Sequence, residues 1–461
     1  MTIDRNLGAA IAATRFGLGA KAGEIDAAKG DPRGYLIGQI RPEGADQPQA
    51  NAATSVQRFG DVRAYQAERK AAKQAGDPKT DPVRQAAQLL RRDTGADFMA
   101  RLQLAAATDA AFRERWTLFW ANHFTVSANK LVTATLVGPF EVEAIRPHVF
   151  GRFEDLLVAS SSHPAMLLYL DQAQSIGPDS FVAQRSGGAG RKAGLNENLA
   201  REIMELHTVG VGAGYSQADV TEFARAMTGW SIGRFEKAAE PGGQFMFRPY
   251  AHEPGARTIM GRRYADGGEA QARSVMKDLA ASPHTAHHLA VKIARHFVAD
   301  EPPPTLVARL ERSYQESGGR LDAVARTLVE APEAWAPTAA KFKTPYEFLV
   351  SSWRATGQAP GDITVIAPTL NAMGQKVFSA PSPKGWPEEA RIWCAPDAVI
   401  KRMSWSETFA AQAIGDRDPS ALASAALGAW LTAPVATAVA RAETRPEALA
   451  ILLMSPEFQR R

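Results

Sequence analysis

Residues Leu195 to Trp230 (LNENLAREIMELHTVGVGAGYSQADVTEFARAMTGW) constrain the fold most, because two helical patterns flank a glycine-rich turn. Leu195, Leu199, Ile203 and Leu206 recur at helical spacing, which predicts one apolar, core-facing stripe. At about 100° per residue, Asn198, Glu202 and Glu205 share one flank of that stripe, while Asn196 and His207 fall on the other. Gly210, Gly212 and Gly214 supply the positive φ angles that stop a helix and reverse the chain. Ser216 and Asp219 then have capping-box spacing. The second helix buries Val220, Phe223, Ala224 and Met227, with Gly229 just past its end.

The same stretch concentrates groups capable of chemistry. Glu202 and Glu205 are placed to share a cation or a proton, which makes them candidate catalytic residues and candidate ligands for a divalent metal. The plainer alternative is a solvated pair neutralised by Arg201 or Arg225. A di-iron bundle requires Glu-x-x-His on two helices, and the spacing Glu202-x-x-Glu205 does not supply it. His207 needs partners from another helix.

Two further histidines stand out. Phe112, Trp116, Phe119 and His123 repeat at helical spacing, so His123 lies on an aromatic face. It is read either as a core histidine satisfied by one hydrogen bond or as a ligand or base in an aromatic-walled pocket. His252 opens a turn (HEPG) from which a polar side chain reaches over a neighbouring pocket. The enzyme hypothesis therefore gathers Glu202, Glu205, His207, His123 and His252 around one cleft.

The rest of the chain predicts a mainly α fold, an irregular multi-helix bundle with a small β-hairpin insertion. Helices are expected at 82–107, from about 109 to 123, at 131–146, 152–170, 267–280 and 283–298, and onward to the end. Ser282 caps the 283–298 helix, with Pro283 at its first position. That helix ends in Arg295-His296-Phe297, echoing Asn122-His123-Phe124. Residues 41–82 read as a mobile excursion or a long solvated helix. Phe245–Phe247 and Thr258–Gly261 read as the two strands of the hairpin. Gly177 to Gly194, with Arg185, Arg191 and Lys192, reads as a lid, an anion-contacting loop or simple linker; it lacks the P-loop pattern. Ala380 to Trp393 is a proline- and tryptophan-rich loop expected to pack across the helices through Trp386 and Trp393.

Composition removes several classes. With 45% hydrophobic and 22% charged residues, the chain is that of a folded soluble protein. Its 53 basic and 49 acidic residues interleave, leaving no nucleic-acid footprint at a net charge of +4. A single cysteine, Cys394, excludes an intrachain disulfide. No transmembrane segment is expected. Without a signal-peptide pattern the default compartment is the cytoplasm. No Gly-x-Ser-x-Gly or His-Glu-x-x-His motif is present, so the common hydrolase routes lack support.

Several blocks carry a family resemblance. NENLAREIMELHTVGVGAGYSQADVTEFARAMTGW, WANHFTVSANK, HEPGARTIMGRRY, SPHTAHHLAVKIARHFV, PSPKGWPEEARIW and MSPEFQRR occur in that family's order from 120 to 461. Together they closely resemble the bacterial domain of unknown function 1800 family. The resemblance implies one helical domain over 1–461, divisible into subdomains 1–180 and 181–461. It also implies a sulfatase-like partner encoded nearby and, as the alternative compartment, the periplasm or envelope. The hairpin turn reads Gly212-Ala213-Gly214 where the family commonly has Asp before its last Gly, so a cation role there lacks its carboxylate. The expected function is a binding, scaffold or maturation factor acting with a partner protein. The alternative is a metal-assisted or general acid–base hydrolase of a polar or glycan-related substrate.

Overall fold

The computed structural model describes residues 4–49, 53–77, 80–186, 194–234, 240 and 242–461. Helices dominate it, accompanied by two small two-stranded antiparallel sheets, so the chain is mainly α. Ala111–His123 is a deeply buried helix, with Phe112, Trp116 and Trp120 fully buried. A helix apolar on so many sides has no face to give to water and must sit inside. Trp116 stacks on Phe150 at 6.1 Å and meets Phe297 at 6.0 Å, while Phe16 meets Trp335 at 5.0 Å. The apolar core thereby draws on both ends of the sequence.

Charged residues on this helix tolerate burial because each meets a counter-charge. Arg113 pairs with Asp46 at 2.9 Å, and Arg115 with Glu347 at 2.5 Å. Glu114 accepts from Arg146 at 2.8 Å, and Glu141 accepts from the same guanidinium at 2.6 Å. Glu347 belongs to Pro345–Thr356, a helix buried along its whole length. It completes a capping box with Thr344 and also holds Arg461 at 3.1 Å. One carboxylate therefore ties a helix start, the Ala111–His123 helix and Arg461 together.

The central hairpin forms with one departure. The capping box at Ser216 and Asp219 is present, and Gly210, Gly212 and Gly214 have φ of 82°, 91° and 81°. Asn198–Glu202 is α-helical, but Ile203–His207 is a π-helical turn, and Leu195 precedes the helix. Hydrogen bonds from i to i+5 widen the turn, so the 100° wheel drawn from sequence drifts there. Met204 and His207 become buried, whereas Leu206 is only half-buried.

The hairpin pairing differs from expectation. Phe245–Phe247 pairs with Trp230–Ile232, and Arg257–Ile259 pairs with Arg262–Tyr264. The second pair turns through Met260 and Gly261, both at positive φ (48° and 76°). Two successive positive φ angles match the twist of a tight hairpin, although Met-Gly carries little of the usual sequence signal for it.

Within 41–82, the long-helix alternative is what forms. Ser55–Gln74 is helical, and its buried Arg58 pairs with Asp93 at 2.5 Å and Asp97 at 3.0 Å of the neighbouring Asp81–Ala107 helix. Within 177–194, Phe181–Ser186 is a short helix; Arg191 and Lys192 lie outside the described residues. Among the described residues no helix is long and apolar enough to cross a membrane.

Candidate functional site

The site is organised by the carbonyl end of the Asn198–His207 segment. A helix end leaves carbonyls without intrahelical donors, and inside a protein each needs a partner. Thr208 Oγ1 donates to the Ile203 carbonyl at 2.6 Å, and the Gly210 amide donates to Met204 at 2.9 Å. Imidazoles from two other helices supply the next donors. His288 Nε2 lies 3.0 Å from the Leu206 carbonyl, and His123 Nε2 lies 3.1 Å from the His207 carbonyl. A carbonyl only accepts, so both rings carry the proton on Nε2 and leave Nδ1 with its lone pair.

Burial keeps these rings neutral. His123 is held well below the ordinary imidazole range by desolvation, reinforced by Lys292, His207 and His288. His207, with neither ring nitrogen hydrogen-bonded, is lowered to about 3 by burial, then by Lys292 and His288. His288 is lowered to about 4 by burial and Lys292. The ring centroids of His123 and His207 are 5.8 Å apart, and His123 also meets Phe124 edge-on at 4.6 Å.

Beside these imidazoles opens a recess of about 360 Å³, roofed by the 381–393 segment. His123, Leu206, His288 and Lys292 line one side, with Lys384, Trp386, Glu388 and Arg391 on the other. Its roof is fixed in place by Asn122. That side chain donates from Nδ2 to the Trp386 carbonyl at 3.1 Å and accepts the Trp386 amide at Oδ1 at 2.7 Å. The close approach requires Gly385, at φ +89°, because a Cβ there would stand 2.4 Å from the Asn122 carbonyl oxygen. The Trp393 indole closes the segment on itself, donating to the Pro387 carbonyl at 2.9 Å.

Glu388 anchors the roof from the opposite side. His296 Nδ1 donates to its carboxylate at 2.9 Å. Burial holds the His296 ring below its ordinary value despite that carboxylate. Burial works to raise Glu388, but His296, Lys341 and Arg461 outweigh it and bring the carboxyl down to about 2. Lys341 reaches both Asp300 and the Glu388 carbonyl, and Asp300 accepts the Ala390 amide at 2.7 Å.

Lys292 is the outlying group. It sits half-buried in the recess wall with no hydrogen bond or ion pair to any described residue. Its ammonium is lowered to about 8 by burial, further by Lys384 and Arg295, with Glu388 opposing. Arg295 leans away, donating from Nε to the Asp300 carbonyl at 3.1 Å. Behind the roof, a separate cavity of about 110 Å³ shares Asn122, Trp386 and Glu388 as its wall. Two of its arginines are paired, Arg101 with Glu141 at 3.2 Å and Arg115 with Glu347.

The candidates named from sequence divide into three places. His123 lines the recess, and His207 packs against it with ring centroids 5.8 Å apart. Glu202 and Glu205 are half-buried elsewhere: Arg201 lies 3.5 Å from Glu205, and Glu202 is raised by burial and by Glu205, with Arg201 opposing. Tyr169 is raised to about 12 by burial and Glu202, and Tyr215 likewise by burial and Glu205. None of the groups acting on Glu202 acts on His123 or His207. His252 is at a third place, its Nδ1 2.9 Å from the carbonyl of Thr228, which ends the Gln217–Met227 helix. Among the described residues no group of three or more His, Cys, Asp or Glu is arranged to hold a metal ion.

Lys292, His288, Asn122 and Glu388 were not singled out from sequence. His288, Lys292 and His296 recur every four residues in Pro283–Phe297, which places them along one stripe of that helix. That spacing was the available signal.

Fold and site together define a mainly helical protein with a cation-rich recess bounded by neutral histidines. A family model described as "Protein of unknown function (DUF1800)" matches residues 11–460, and the chain belongs to that family. Neither a curated protein nor a solved structure matches it.

Proposed function

We propose that this chain is a binding factor whose recess takes an anionic group presented by a partner protein or an exported polymer. The observation that carries the reading is Lys292, a half-buried ammonium facing a cavity with no acceptor of its own. Withdrawing a charge partly from water without a protein partner carries a cost, and an incoming carboxylate, sulfate or phosphate oxygen offsets it. Arg295, Lys384 and Arg391 add positive charge around it and outnumber the two lining carboxylates, of which Glu388 is already engaged by His296 and Glu389 is the other. The recess volume lies within the range of about 300–1,000 Å³ common for small-ligand sites. A sulfatase-like partner, as the family resemblance implies, fits an anion-binding role and would place both proteins in the envelope.

Neutral histidines support binding over proton transfer. Groups lowered to about 3 and 4 are weak bases near neutral pH. The second reading, acid–base or metal-assisted hydrolysis, draws on Glu202, a raised carboxyl beside a second carboxylate.

Titration calorimetry with sulfate and with citrate separates the two. Saturable binding by the wild type, weakened at least tenfold in Lys292→Met and unchanged in Glu202→Gln, is the expected result; 1.4 kcal/mol corresponds to that factor. Equal affinity in Lys292→Met and wild type would remove the recess from consideration.

A further inference from the structure

We propose that the ε-amine of Lys292 condenses reversibly with the carbonyl of a small anionic aldehyde or 2-oxo acid held in the recess. This rests on the anion-binding reading but adds a covalent step to it.

Three observations on the structure point to an amine kept free for reaction. The neighbouring lysines withdrawn from water are both committed: Lys341 to Asp300 and the Glu388 carbonyl, and Lys343 to Ser351 Oγ at 3.1 Å beneath the Phe458 ring. Lys292 has no such partner and opens onto a cavity that accommodates a small molecule. The charged and titratable groups around it are His123, His207 and His288 on one side and Arg295, Lys384, Glu388, Glu389 and Arg391 on the other. The imidazoles are neutral and Glu388 is turned to His296; it favours the ammonium only from a distance, and neither it nor Glu389 of the same recess makes an ion pair with the amine.

Desolvation and neighbouring cations are the two general ways a lysine is made nucleophilic, and both act here. With its ammonium lowered to about 8 by burial, Lys292 carries a free lone pair far more often near pH 8 than a solvated lysine does. An exposed lysine near 10.4 has under about 1% in that form. Lys384 and Arg391 stand at the same recess to hold the substrate's carboxylate, which selects an anionic carbonyl compound.

The step balances without any oxidant or reductant. The amine lone pair forms the C–N bond as the carbonyl π pair moves to oxygen, and a proton passes from nitrogen to that oxygen. Protonation and loss of the hydroxyl as water then break the C–O bond, leaving a protonated imine. One amine, one carbonyl and one proton give one iminium and one water.

Glyoxylate with cyanoborohydride tests this on the full-length wild type, since reduction fixes the imine as a carboxymethyl group. Peptide mapping should place the adduct on Lys292 at least about tenfold faster than on exposed Lys277, with the rate rising to half its maximum near pH 8. Excess sulfate should slow it, and Lys292→Arg should lose it. Labelling of Lys292 no faster than of Lys277 would overturn the amine chemistry. Sulfate calorimetry on the same preparation shows separately whether the anion site stands.

Discussion

At the residue scale, three of the histidines that invite a catalytic reading cap helix ends. His123, His288 and His252 each lie within hydrogen-bonding distance of a carbonyl at the end of a helix or π-turn: those of His207, Leu206 and Thr228. His207 makes no such bond and is buried neutral among aromatic rings. Its folded-state value, about 3, lies below the ordinary 6.5, so the unfolded chain binds the proton more readily. Stability therefore falls as pH drops from the unfolded value toward the folded one. Between pH 7 and 5 this costs about 2 kcal/mol, from 1.36 kcal/mol per unit. His207→Leu should accordingly lose about 2 kcal/mol less than wild type over that interval in urea denaturation. An identical pH dependence would show that His207 is protonated in the fold.

At the element scale, the 381–393 segment has little regular structure and is held by a few specific contacts. Asn122 grips both backbone groups of Trp386, Gly385 permits the approach, and Glu388 and Asp300 fix the far end. Asn122→Ala removes two of those bonds and leaves the Ala111–His123 helix unchanged in its packing. The expected outcome is faster hydrogen exchange at the Trp386 amide and weaker sulfate binding, with far-UV circular dichroism unaltered. Unchanged exchange at Trp386 would mean the roof is held by packing alone. The roof's composition was legible in the sequence as a proline- and tryptophan-rich loop. Its partner was not, because Asn122 and Trp386 are 264 positions apart. No periodicity encodes a contact of that range.

For the whole molecule, buried ion pairs join distant parts of the chain. Arg461 donates to the His296 carbonyl at 2.8 Å and holds Glu347, which in turn holds Arg115. Burial works to raise Glu347, but Arg115 and Arg461 outweigh it and hold it well below the ordinary carboxylate range. Glu388 is brought to about 2. Carboxyls depressed in the folded state contribute stability above their unfolded value, near 4.3, that is lost as pH falls toward the folded one. Acid unfolding should therefore steepen below about pH 4.3, and Glu388→Gln should flatten the curve between there and pH 2, read by circular dichroism. A variant curve parallel to wild type in that window would contradict the assignment.

Local order was written in the sequence: the Ser216–Asp219 capping box, the turn glycines, Pro283 after its Ser282 cap, and the aromatic face that carries His123. These depend on groups a few residues apart, whose geometry the backbone alone sets. The placement of Glu202 and Glu205 away from the imidazoles was decided in three dimensions, as was the π-turn that redirected His207. So was the gathering of Lys292, His288 and Glu388 around one recess. Desolvation and long-range pairing govern those outcomes, and both depend on which remote segments the folded chain brings into contact.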